Sequence, residues 1–113
     1  MNKHLLRYFL VTLLLVTIVY AQKKPEISVS PSRVRSGEIS LLTGTGFTEN
    51  RTVMSHLQRP DGSEYNPLRI RTDERGEFNH KIDSVMLDIG TFELWVEDEA
   101  SKVVSNRIQL VVE

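Results

Sequence analysis

The sequence predicts an all-β fold, two layers of short strands around one core. The clearest strand is Gly90-Thr91-Phe92-Glu93-Leu94-Trp95-Val96-Glu97-Asp98. Phe92, Leu94 and Val96 alternate there with Thr91, Glu93, Trp95 and Glu97, the period of two that puts one face of a strand in a core. From Glu26 onward, short apolar runs of this kind are cut by turn residues every 8 to 12 positions or so, the pattern of an all-β domain. No helical stripe of useful length interrupts them.

Residues 1–21 stand apart. Lys3, His4 and Arg7 make a positive start, and residues 8–20 are apolar except for Thr12 and Thr17. Val19-Tyr20-Ala21 then offers small or β-branched residues at the two positions a signal peptidase reads. The run is short of the roughly 20 residues that span a bilayer, so it reads as a cleaved secretory leader. The alternative is an uncleaved anchor holding the domain at a membrane. Cleavage after Ala21 removes Lys3 and Arg7 and takes the net charge from −1 to −3. The short basic start has a bacterial look, which implies a periplasmic or secreted product. Residues 22–25, Gln-Lys-Lys-Pro, form a polar linker, and residues 26–113 form the domain.

The strands follow in order. Ile27 and Val29 make the first run, ended by Pro31. Ile39 and Leu41 share a face of the second. Val53, Ser55 and Leu57 make the third, stopped by Pro60-Asp61-Gly62-Ser63, where proline presets φ and glycine accepts a positive value. Leu68 and Ile70 form the fourth, closed by Asp73-Glu74-Arg75-Gly76. Phe78, His80 and Ile82 give the fifth, the Phe92 strand is the sixth, and Val104, Asn106, Ile108, Leu110 and Val112 mark the last. Seven strands at this spacing predict a single immunoglobulin-like sandwich. The final strand has little polar protection and, at an edge, would accept a partner's strand.

Several of these turns also resemble a known family. Gly44-Thr45-Gly46-Phe47, Pro60-Asp61-Gly62-Ser63, Thr72-Asp73-x-x-Gly76-Glu77-Phe78, Gly90-Thr91-Phe92 and Ser105-Asn106 look like the turns of bacterial extracellular immunoglobulin-like modules. The chain is similar in particular to the IPT/TIG-like and fibronectin-type-III-like kinds. The resemblance implies a non-catalytic module for adhesion, spacing or protein contact. Such modules usually stand in tandem, and a single one behind a leader is expected to contact a partner rather than to space.

Composition narrows the chemistry. Fourteen Lys and Arg against fifteen Asp and Glu leave no basic excess for nucleic acid. With no cysteine, disulfides, thiolate metal sites and a thiol nucleophile are excluded. His4 leaves with the leader, and His56 and His80 lie on different strands without a ligand-type neighbour at i+2 or i+4. No G-x-S-x-G elbow exposes a serine, and Gly44-x-Gly46 lacks the G-K-[ST] of a phosphate loop. The chain is therefore expected to be no enzyme and to carry no cofactor. Asn50-Arg51-Thr52 matches the glycosylation pattern in a loop. Glu49-Asn50, Asp73-Glu74 and Asp98-Glu99 are expected at one end of the sandwich, where they could face a hard cation, although acidic residues equally populate turns; no metal site is assigned.

Trp95 is the candidate functional residue. The phase that buries Phe92 turns it outward, and an immunoglobulin-like order puts its strand between the third and the last. Met54 and His56 would then flank it on one side, with Arg107 and Gln109 on the other. Trp, Met and Arg are the types enriched at protein-binding centres. The expected partner is another protein of the envelope or cell surface, with membrane contact only through an uncleaved residue 5–20 segment. Two other readings stand beside it. Trp95 could stack on a sugar ring, or it could merely stabilise the sheet under the Arg107 stem.

Overall fold

The computed structural model describes residues 23–113, so the leader and anchor readings lie outside the described residues. Eight strands form two sheets: β1 (Glu26–Ser30), β2 (Arg33–Val34), β3 (Ile39–Thr45), β4 (Thr52–Gln58), β5 (Leu68–Arg71), β6 (Phe78–Asp83), β7 (Gly90–Asp98) and β8 (Ile108–Val112). The smaller sheet has the order β1-β3-β6 and the larger β2-β8-β7-β4-β5. All pairings are antiparallel except β2 with β8. This is the two-layer arrangement expected of an immunoglobulin-like sandwich.

The core lies between the inner faces. Ile27, Leu42 and Phe78 come from the smaller sheet, and Val34, Val53, Phe92, Leu94, Val96, Leu110 and Val112 from the larger. Phe92, Leu42, Val53, Val96 and Leu110 are wholly enclosed, and each such side chain contributes about 1.5–3 kcal/mol through burial. The rings of Phe47 and Phe78 meet at 5.5 Å and 56° where the β3–β4 loop folds over the end of the core. A Cβ at Gly44 would collide with the Phe78 ring, so β3 has glycine where that ring crosses it.

Four details correct the sequence reading. The first run does end before Pro31, but beyond it the chain crosses to the other sheet and forms a further short strand on β8, so the described residues hold eight strands where seven were expected. The last strand begins at Ile108, while Val104 makes only an isolated bridge to Glu97. β8 is also not an edge along its whole length, because Arg33 and Val34 pair with Val111 and Val112. In β3 the inward residues are Ser40, Leu42 and Gly44, and Ile39 and Leu41 face solvent.

Polar side chains seal the layers. The Asn106 amide accepts from the Ile27 N–H at 2.8 Å and donates to the Ile27 carbonyl at 3.0 Å, standing in for a strand along the β1 edge. The Ser105 hydroxyl accepts from the Val96 N–H, and the Ser40 hydroxyl donates to the Pro31 carbonyl where the chain changes sheets. Every enclosed side-chain polar atom among the described residues has a partner, as close-packed interiors require.

Candidate functional site

The outer face of the larger sheet is laid out by strand register. Trp95 pairs with His56, Met54 with Glu97 and Arg69, and Gln109 with Glu93. Arg107 immediately precedes β8, and the β7–β8 register sets it beside Trp95. Met54, His56, Trp95, Arg107 and Gln109 therefore share one surface, with Trp95 half-buried at its middle and Arg107 and Gln109 exposed.

Contacts hold the indole upright. The His56 ring stacks on Trp95 with centroids 5.1 Å apart and planes 1° from parallel. From the β8 side the Arg107 guanidinium lies 3.9 Å from the ring centre, a cation–π contact. Arg107 is itself fixed, since its Nε donates to Glu93 at 2.6 Å. On the β4 side, His56 Nδ1 lies 3.8 Å from the Glu64 carboxylate. Neighbouring strands thus clamp the tryptophan before anything binds. A sugar ring stacking on the indole would have to displace one of these contacts.

Glu64 and Glu93 are the members of this arrangement that the sequence reading missed. Glu93 sits two residues before Trp95 on the same face, a signal present in the alternation. Glu64 depends on the hairpin at residues 58–64, where Gln58 and Glu64 bridge and Asp61 accepts from the Ser63 N–H and hydroxyl. Those two hydrogen bonds, the hydroxyl first, hold the Asp61 carboxyl below its ordinary pKa.

The acidic loops do meet at one end, and there the Asp98 and Asp73 carboxylates are engaged in the fold. Asp98 is 1% exposed. Its Oδ2 accepts from the Thr48 N–H and hydroxyl, both at 2.7 Å, and its Oδ1 from the Ala100 and Ser101 amides. Burial works to raise its pKa, and these donors outweigh it, leaving the carboxyl below its usual value. Asp73 accepts from the Glu77 and Arg75 amides, which lower its pKa in turn. The Thr72 hydroxyl, buried, donates to the Thr48 carbonyl and accepts from the Arg51 N–H. Among the described residues no group of three or more His, Asp or Glu side chains stands together as a metal site. His80, on the inner side of β6 opposite Leu42, lies two residues in from Phe78 and on the sheet that does not carry Trp95.

No family model matches the chain, and no curated protein matches it. Solved structures do. The CARDB domain of the PF1109 protein from Pyrococcus furiosus, determined in complex with di-metal ions, is 13% identical, with a TM-score of 0.46 over 79% of this chain and 90% of that one. CHIR-AB1, an immunoglobulin-like protein, is 20% identical, with a TM-score of 0.50 over 80% of this chain and 99% of that one. At such identities the likeness concerns fold alone, and the CHIR-AB1 match agrees with the strand order: this chain is an all-β immunoglobulin-like sandwich.

Proposed function

We propose that this protein is a non-catalytic immunoglobulin-like module, exported to the cell envelope or beyond, that docks another protein on the outer face of its larger sheet. Its closer kin would be the IPT/TIG-like or fibronectin-type-III-like modules its turns resemble. The observation that carries the reading is the clamped Trp95. A large aromatic already fixed between His56 and Arg107 gives up little rotamer freedom on binding, so contact area there converts efficiently into affinity. Met54 and Gln109 extend the surface to either side. With both neighbouring strands already contacting the indole, a protein surface is a better-supported occupant than a sugar ring.

The test is crosslinking on intact cells that make the protein, followed by identification of what is captured. Wild type and Leu41→Ser, altered on the opposite face, should capture the same protein. Trp95→Ala should reduce that capture at least about tenfold, the loss expected at an aromatic binding centre, while remaining folded. Capture unchanged by Trp95→Ala, or lost equally in Leu41→Ser, would remove this face from the account. The module recovered with its partner should itself begin at Gln22; a retained Met1 would mean a tethered module.

A further inference from the structure

The face described above contains a titratable residue at its centre, and its surroundings differ on the two sides. Arg107 is firmly paired with Glu93 at 2.6 Å. His56 is not: 3.8 Å separates its Nδ1 from Glu64, too far for a hydrogen bond and close enough for an ion pair. Glu64 belongs to the segment joining β4 to β5. That segment is tied to the sheet edge by the Tyr65 N–H to the Leu57 carbonyl and by the Gln58 amide to the Gly62 carbonyl. We propose that His56 is a proton-operated latch: on gaining a second proton it draws Glu64 in and fastens the residue 59–67 segment against the rim of the Trp95 face.

The geometry gives the proton several effects at once. The imidazole stacks on the indole as one flat ring on another. Imidazolium in the same place makes a cation–π contact with Trp95 and an ion pair with Glu64. Most of the other charges around it are already engaged. On β7, Glu93 and Glu97 lie two positions either side of Trp95, and Glu93 holds Arg107 across the indole. On β5, Arg69 stands opposite Met54 and pairs with Glu99. Within the segment itself, Arg59 lies over the Tyr65 ring and donates to the Ser63 hydroxyl and the Glu64 carbonyl. Among the described residues Glu97 carries no ion-pair partner, and Glu64 is the carboxylate that lies within 4 Å of the imidazole.

The latch regulates the surface assigned above and rests on that reading for its biological meaning, but its test needs no partner. The single tryptophan reports directly. Its emission should change between pH 8 and pH 5, the range in which histidine gains charge, and the change should vanish in His56→Gln while persisting in His80→Gln. Over the same range, hydrogen-exchange protection of the Tyr65 amide, corrected for intrinsic rates, should rise in wild type. In Glu64→Gln, an exposed and structurally mild change, that rise should disappear while the emission change remains. Emission that ignores pH, or still responds in His56→Gln, would overturn the proposal. So would Tyr65 protection that is flat in wild type or rises equally in Glu64→Gln. Failure of partner capture, by contrast, would count against the docking surface and leave these readings as they are.

Discussion

At one end of the sandwich, Thr48, Thr72, Asp73 and Asp98 tie three loops into a single hydrogen-bonded body. At the other end, Val85, Met86 and Ile89 stand in solvent, Met86 at 85% exposure. The second end is not loose. The Ser84 hydroxyl, buried beneath the short turn at residues 84–86, donates to the Glu38 carbonyl and accepts from the Gly37 N–H, and Asp83 caps the turn through the Val85 N–H. Both ends are therefore built, one with its polar groups turned inward to hold loops, the other with its apolar groups left outside. Asp98 and Asp73 attract attention in the sequence as cation ligands, and in the fold they act as acceptors for backbone amides.

The largest effect should come from breaking the polar end. Asp98→Ala leaves the Thr48 N–H and hydroxyl and two further amides without their acceptor, and should cost about 3 kcal/mol in urea denaturation. A loss below about 1 kcal/mol would show that water replaces the carboxylate and that the end is not cross-tied. Acid comes next. The folded pKa of Asp98 lies below the ordinary unfolded value of about 3.9, so its stabilisation is fully present above that value and is lost as pH falls through the folded pKa. Unfolding free energy should therefore decline below about pH 4 in wild type. Asp98→Asn should start lower and decline less steeply; parallel curves would mean that other carboxylates carry the acid sensitivity. The smallest effect belongs to the opposite end, where Met86→Ser should change the urea midpoint by no more than the equivalent of about 0.5 kcal/mol. A larger loss would mean that the exposed turn is part of the core after all.

Much of the fold was legible because its strands alternate cleanly. Phe92, Leu94 and Val96 are all buried, and β7 does lie between β4 and β8. Where alternation is ambiguous, the reading failed. Ile-Ser-Leu-Leu-Thr-Gly-Thr carries adjacent leucines, so its apolar residues fit either phase. The inward phase is set by features the strand does not advertise: Ser40 reaching the Pro31 carbonyl and Gly44 making room for Phe78. The crossing at Pro31 was hidden for a similar reason, since a two-residue strand has no period to detect. Around Trp95 the grouping of Met54, His56, Arg107 and Gln109 followed from register alone. Asp98 shares the inward phase of Phe92, Leu94 and Val96, but its partner Thr48, fifty residues away, was not legible.

The parallel pairing of β2 with β8 has a mechanical corollary. The chain enters beside Gly46 and Phe47 at the polar end, and Glu113 is held at the opposite end by bonds to Ser36 and Val34. β1, β2 and β8 all run from the first end toward the second. Tension applied between Lys23 and Glu113 would drag β2 and β8 past each other along their length. The bonds joining Ser32 to Val111, Val34 to Glu113 and Ser36 to Glu113 would then bear the load together in shear, instead of opening one after another as in peeling. Such a geometry resists pulling from its two ends more than it resists peeling of the same strands.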